Sequence, residues 1–470
     1  MPPFIALLLW LVLLLALLRF DPAKEQGTSL ALWIPVAWMF IVASRLPSQW
    51  LGGGGQIQTA SQALEEGNAM DRAVFAFLIL LAFVILLWRS FNWGGFLARN
   101  FFLVAFLLFA LTSIIWSDFP FVAFKRWFRD LGNYFVILVV LSDPHPLEAV
   151  RTLLRRVCFL LVPLSILLIK YFPYIGKQYE VWSGDSMFVG AATSKNMLGV
   201  VCLVSGIFFF WDTLSRWPDR KHRRTKIAIL VNLTLFAMTL WLLNLANSAT
   251  SKVCFVLGCL VIASAHMRRV KRHPAILKAL IPVTLCAYMI LQFGFGINGE
   301  VAGMVGRNAN LTGRTDLWKV LLSMHTNPLL GTGYESFWLG SRLAFVLQRF
   351  RGSGINEAHN GYLEVYINLG LIGLSLLAAF LIASYRTIGR RLSSGSAIAL
   401  LSLALWTVLL FYNVTEAAFK GQLIWLTFLL GAITVPERAA DHLRSVPSVG
   451  LAGSSEPLRT LPLEPSSLGR

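Results

Sequence analysis

Apolar stretches recur along almost the whole chain, separated by short polar connectors, and one polar interval is much longer than the rest. Thirteen runs approach the ~20 residues needed to cross a hydrocarbon core: 3–18, 30–43, 73–88, 101–116, 131–141, 157–169, 197–211, 227–246, 253–267, 279–296, 362–384, 397–412 and 422–435. A backbone buried in lipid must satisfy its own hydrogen bonds. The expected fold class is therefore all-α, a polytopic transmembrane helical bundle of about 12–13 spans. The second run contains Pro35, and Arg129 and Asp130 shorten the fifth. The first has no basic residue ahead of it and no small-residue cleavage site behind it, so it reads as a retained anchor rather than a signal peptide. The expected domains are 1–296 with about ten spans, the hydrophilic loop 297–361, the last spans at 362–435, and a Pro/Ser/Gly-rich tail, 436–470, of disordered composition.

Composition agrees: 56% hydrophobic and only 14% charged residues leave too much apolar surface for a soluble core. Lys and Arg set the orientation, because short loops rich in them stay cytoplasmic. Connectors 216–226, 268–278 and 386–391 are the most basic. With thirteen spans they share a face with Arg19, Arg89, Arg99 and Arg151, so that about half of the 41 basic residues lie there. The net charge of +18 is thus largely a topology signal, and no reader motif supports nucleic-acid binding. The five cysteines fall inside expected spans without metal-ligand spacing and read as packing residues. The opposite face carries 45–72, 117–130, 170–195, 247–252, the long loop and 414–420. In a bacterium it is periplasmic.

Six basic residues in the long loop, Arg307, Arg314, Lys319, Arg342, Arg349 and Arg351, point to an anionic ligand. From Thr312, the spacing Arg314, Trp318, Leu321, Leu322 and His325 predicts one helix, ended by Asn327-Pro328. Gly331 and Gly333 predict a turn. A second amphipathic stretch, 336–350, is of a kind that lies in a membrane interface. His359 then falls at the membrane surface, where the eleventh span starts.

Thr312-Gly-Arg-Thr-Asp-Leu-Trp, Asn327-Pro-Leu-Leu-Gly-Thr-Gly-Tyr, Ala358-His-Asn-Gly-Tyr-Leu and Asn368-Leu-Gly-Leu-Ile-Gly together resemble the signature of the O-antigen ligase and polymerase superfamily. Thr193-Ser-Lys-Asn-Met-Leu-Gly and Asn247-Ser-Ala-Thr-Ser resemble two further motifs of that family, and the first hundred residues look closer to its exopolysaccharide-production branch. The resemblance implies a metal-independent, cofactor-free, inverting glycosyltransferase of the bacterial inner membrane. Its donor is an undecaprenyl-pyrophosphate-linked glycan. Its acceptor is the lipid A core for a ligase, or another lipid-linked glycan for a polymerase, and membrane lipids surround both. Arg314 is the expected stabiliser of the pyrophosphate leaving group. His359 is expected to act as general base on the acceptor hydroxyl or to position it. Lys195, Asn196, Lys252 and Asn360 are expected to contact pyrophosphate or sugar.

The chain departs from the family in carrying Asn247 where Arg or Lys is frequent; Lys252 is the nearby substitute, but it offers a point charge rather than a fork. Trp318 reads as packing, and Asp118 in Trp116-Ser-Asp matches a family feature with no evident chemistry. Glu357, Glu364 and Glu416 are outer-face carboxylates whose spacing assigns no role. A lipid-linked glycan transporter is the rival from another class, disfavoured because the polar motifs lie in outer loops rather than within spans. A metal-dependent glycosyltransferase with an acidic first outer loop is the rival enzyme; Glu65, Glu66 and Asp71 lack the paired-carboxylate motif it needs.

Overall fold

The structure, a computed structural model, describes residues 1–21, 27–52, 67–179, 184, 186–273, 275–277, 279, 314–350 and 355–436. Almost all of the expected tenth span, loop residues 297–313 with Arg307, Arg351, Cys286 and nearly all of the tail lie outside the described residues.

The principal helices are α1 Pro3–Arg19, α2 Trp33–Ala43, α3 Ala69–Trp88, α4 Trp93–Arg99, α5 Phe101–Thr112, α6 Pro120–Leu141, α7 Pro146–Tyr171, α8 Lys195–Arg216, α9 Arg223–Ala246 and α10 Ala249–Ala265. Beyond the gap follow α11 Arg314–Ser323, α12 Gly340–Arg349, α13 Gly361–Ser393, α14 Ala397–Tyr412 and α15 Leu423–Ala432. The protein is therefore an all-α, multi-pass membrane protein, as its hydropathy predicts. Helices α3, α7, α8, α9 and α13 are long and apolar enough to cross a membrane, and α1, α2, α10, α14 and α15 are shorter apolar helices. Every expected span other than the tenth coincides with one of these helices or with the second half of α6. Helix α8 packs against α7, α9 and α10, α14 against α10 and α15, and α13 against α5.

Two local departures have visible causes. The expected span 101–116 coincides with one limb of a pair, the other being 93–99, bent by 95°. Asn100 holds the bend, its amide donating to Phe96 O and Thr434 O at 2.8 Å each and accepting from Thr434 N at 3.0 Å. Connector 170–195 contains a small antiparallel hairpin, Lys177–Tyr179 with Ser186–Phe188, that hydropathy does not reveal.

Charged side chains fasten neighbouring connectors and helix ends to one another. At one end Arg89 pairs with Asp143 at 3.1 Å. At the same end the buried Asp212 accepts from Arg216 and Asn232 at 2.9 Å each and lies 3.6 Å from Arg155. A buried carboxylate persists only with partners of this kind. At the other end Arg45 donates to Ile175 O and Ala192 O at 2.6 and 3.0 Å.

The long loop contains the two predicted helices, α11 and α12. Leu317, Leu321, Phe337, Trp338, Leu343 and Val346 form a core of their own against the start of α13. The amphipathic face of α12 is thus covered by protein through Leu343 and Val346, although Phe345 stays 51% exposed. Trp116-Ser-Asp, chemically silent in sequence, docks this loop: Trp116 Nε1 donates to Leu330 O at 3.3 Å, Ser117 Oγ meets Ser336 Oγ at 2.7 Å, and Asp118 pairs with Arg342.

Two further motifs form one joint. Helix α13 breaks at Gly370, whose φ of +63° favours glycine. Around the break, Leu371 N and Ile372 N donate to Pro328 O and Leu329 O at 2.9 and 3.2 Å, while Thr332 N and Gly333 N donate to Ile367 O and Asn368 O at 3.1 and 2.9 Å. The Asn327-to-Tyr334 motif therefore satisfies the backbone groups that the Asn368-Leu-Gly motif frees. A Cβ on Gly370 would lie 2.2 Å from the Leu329 carbonyl carbon.

Candidate functional site

Helix starts position the candidate residues. Ser194 caps α8, accepting from Met197 N at 3.2 Å; Ser248 caps α10, accepting from Ser251 N at 3.5 Å; Asn360 caps α13, accepting from Leu363 N at 3.0 Å. These are preferred N-cap types, because a short side-chain oxygen satisfies amides left without an intrahelical partner. Three of the sequence motifs are thus caps at one end of the bundle.

Those helix starts converge on the segment following α14. Asn360 Nδ2 donates to Val414 O at 3.1 Å, Thr250 Oγ1 meets Thr415 Oγ1 at 2.8 Å, and Asn196 Nδ2 donates to Glu416 Oε1 at 3.0 Å. Arg314, the first residue of α11, donates to Thr415 O and, at 2.9 Å, to Glu416 Oε1. Gly361 permits the approach: its N donates to Asn413 O at 2.8 Å, and a Cβ there would sit 1.9 Å from Asn413 Oδ1.

His359 completes the cluster. Its φ of +48° is unusual for a residue with a side chain and turns the ring toward two carboxylates. Nδ1 lies 3.2 Å from Glu357 Oε1 and 3.4 Å from Glu416 Oε2. Burial alone would lower the imidazole pKa; the hydrogen bonds and charges of Glu357 and Glu416 outweigh it and lift the value from 6.5 to about 9. Glu357 is balanced the other way: burial would raise it, but the His359 hydrogen bond, with Lys420 and Arg314 nearby, holds it below the usual carboxylate range. At neutral pH the ring is therefore a cation clamped between anions. That environment disfavours the neutral imidazole that base catalysis requires.

Glu357, His359 and Glu416 place ligand atoms within 4.8 Å of one another, close enough to hold a divalent ion. Arg314 and the charged ring already offset the two carboxylates.

Of the residues singled out in sequence, Arg314, His359, Asn196 and Asn360 meet here. Lys195 and Lys252 stand in the first turns of α8 and α10. Among the described residues neither makes a hydrogen bond or ion pair with this cluster; Lys252 Nζ instead donates to Asn247 Oδ1 at 3.3 Å. Trp318 donates to Ala358 O at 2.8 Å and so braces the loop. Sequence reading undervalued Glu416, which is only 5% exposed and bridges Arg314, Asn196 and His359, and it missed Lys420, which lies 3.7 Å from Glu335 and 3.8 Å from Glu364. The one available signal was Asn413-Val-Thr-Glu at the outer end of a span.

Residues 233–378 match the family model described as O-antigen ligase. The match encloses Lys252, Arg314, His359 and Asn360, while Asn196 and Glu416 lie outside it. The exopolysaccharide production protein ExoQ of Rhizobium meliloti (strain 1021) is 25% identical over 303 residues, an alignment that takes in 60% of this chain. The chain spans 63% of the length of that relative. These two matches, together with the motifs they enclose, make this multi-pass membrane protein similar to the O-antigen ligase-like superfamily, the similarity to the O-antigen ligase model lying at residues 233–378.

Proposed function

We propose that the protein is a metal-independent, inverting glycosyltransferase of cell-surface polysaccharide synthesis, acting at the periplasmic face of the bacterial inner membrane. Its donor is an undecaprenyl-pyrophosphate-linked glycan. The acceptor is a hydroxyl on the lipid A core in the ligase reading, or on a second lipid-linked glycan in the polymerase reading. The observation that carries this is the convergence of four helix starts, Arg314 and His359 on one partly open edge. Helix N-termini and guanidinium groups favour anions, and Arg314 and His359 keep 17% and 29% of their side chains exposed.

In this reading a single displacement forms the bond from the acceptor oxygen to the anomeric carbon and breaks the bond to pyrophosphate, inverting the centre. Arg314 and the His359 imidazolium stabilise the charge that develops on the leaving pyrophosphate. Glu357, ionised beside His359, takes the proton from the acceptor hydroxyl. Glu416 and Asn196 position the two cations. Lys195 and Lys252 are left as outer contacts to sugar or phosphate.

The test is transfer from a synthetic undecaprenyl-pyrophosphate glycan by purified protein, with His359→Ala and Arg314→Ala alongside. Loss of transfer in both variants is expected; full activity in both would sink the assignment. Deleting the gene and resolving the lipid-linked glycans separates the acceptors: long chains on the carrier lipid indicate a ligase, and single repeats a polymerase.

A further inference from the structure

Across the 413–422 segment from the Arg314–His359–Glu416 cluster lie two adjoining cavities of 490 and 360 Å³ that share Leu46, Phe75, Arg129 and Lys420. The larger is bordered by five cations, Arg72, Lys125, Arg126, Arg129 and Lys420, against the carboxylates Asp71 and Glu335. Asp71 accepts from Ser48 N at 2.9 Å and Ser48 Oγ at 2.7 Å and keeps its charge. Arg126 donates to the Glu335 carbonyl, while Lys420 lies 3.7 Å from the Glu335 carboxylate and Arg129 lies 3.5 Å from Asp130. The lining thus carries an excess of positive charge.

The cations share one level. Arg72 is in the first turn of α3, and Lys125, Arg126 and Arg129 are in the polar first half of α6, just before its apolar run. Phe75, Ala76 and Ile79 form an apolar wall beneath them. Phe124 and Phe128 also border the cavity and stay 46% and 42% exposed. Arg and Lys at helix ends ordinarily snorkel outward. Here they border a partly open cavity that has an apolar flank, and a phosphorylated lipid matches that pairing of charge and hydrocarbon.

We propose that this cavity is a second phospholipid-type subsite, holding the phosphate of the lipid that carries the acceptor glycan while its chain lies along the phenylalanine flank. Asn356 borders the same cavity, one residue from Glu357. A sugar hung from a phosphate at Arg126 and Arg129 therefore extends toward the proton-accepting carboxylate. The assignment deepens the glycosyltransferase reading and rests on it.

The experiment uses the full chain in nanodiscs, with undecaprenyl phosphate as the binding probe followed by native mass spectrometry. Wild type is expected to hold two equivalents. Arg126→Gln/Arg129→Gln is expected to hold one and to raise the acceptor KM at least tenfold with the donor KM unchanged. Arg314→Gln is expected to lose the other equivalent. Because Arg129 is beside Asp130, the pair Arg72→Gln/Lys125→Gln provides a second variant and is expected to shift acceptor KM in the same direction. Two equivalents retained by both double variants, or a single equivalent in wild type, would overturn the subsite. Displacement of the second equivalent by lipid A identifies an acylated sugar phosphate as the occupant; displacement by inorganic pyrophosphate without any lipid requirement rejects a lipid site. If wild type transfers no glycan yet binds two equivalents in this pattern, the transferase reading fails and the phospholipid site stands.

Discussion

Replacing Glu416 by Gln removes one of the two carboxylates that hold His359 charged while preserving most of the side-chain volume. The lift of the imidazole from 6.5 to about 9 corresponds to at most about 3 kcal/mol of preference for the charged ring, at ~1.4 kcal/mol per tenfold change, reduced by the solvent reaching its partly exposed face. Because the folded-state value is raised, this contribution is fully present below pH ~6.5 and is lost as pH rises through about 9. Loss of one of the two nearby charges is expected to bring the imidazole down by about one pH unit. If the cation is the active form, wild type keeps about nine-tenths of its plateau rate at pH 8 and the variant about half. Glycan transfer measured from pH 6 to 10 reads this directly, as does the His359 ring chemical shift. A wild-type rate that instead climbs toward pH 9 would make the neutral ring the active species and restore the general-base role. An unmoved descending limb in the variant would show that Glu416 does not hold the proton.

Arg314→Gln should lower kcat about 10²- to 10³-fold, the effect of losing one donor to developing charge, and Arg314→Lys should recover little because a point charge lacks the planar fork. Gly370→Ala should destabilise the protein by about 2–4 kcal/mol, from positive-φ strain and the clash with Leu329, read as a lower Tm in detergent with the loop still present. Prolonged EDTA treatment should leave transfer unchanged; loss of activity with rescue by Mg²⁺ or Mn²⁺ would assign the Glu357–His359–Glu416 trio to a metal.

The membrane class, the position of nearly every described helix and the two helices of the long loop were legible in sequence, because apolar run length and 3.6-residue spacing are local properties. Arg314 and His359 were singled out for a different reason: they sit in motifs that resemble those of a known family. The 95° bend at Asn100 was not, since its cause is a hydrogen bond to Thr434, 334 residues away. The role of Glu416 was not legible either, with Arg314 102 residues away and Asn196 220.

The sequence alone determined that the chain is a multi-pass membrane protein, because hydropathy needs no partner to be read. Tertiary structure decided the chemistry of its charges. Folding places two carboxylates from different segments against one imidazole, and protonation is a property of that neighbourhood rather than of histidine. It also decided that, among the described residues, Lys195 and Lys252 make no hydrogen bond or ion pair with the cluster, and that Asn327-Pro-Leu-Leu-Gly-Thr-Gly serves the break in α13. Such pairings depend on distance in space, which residue spacing along a chain does not encode.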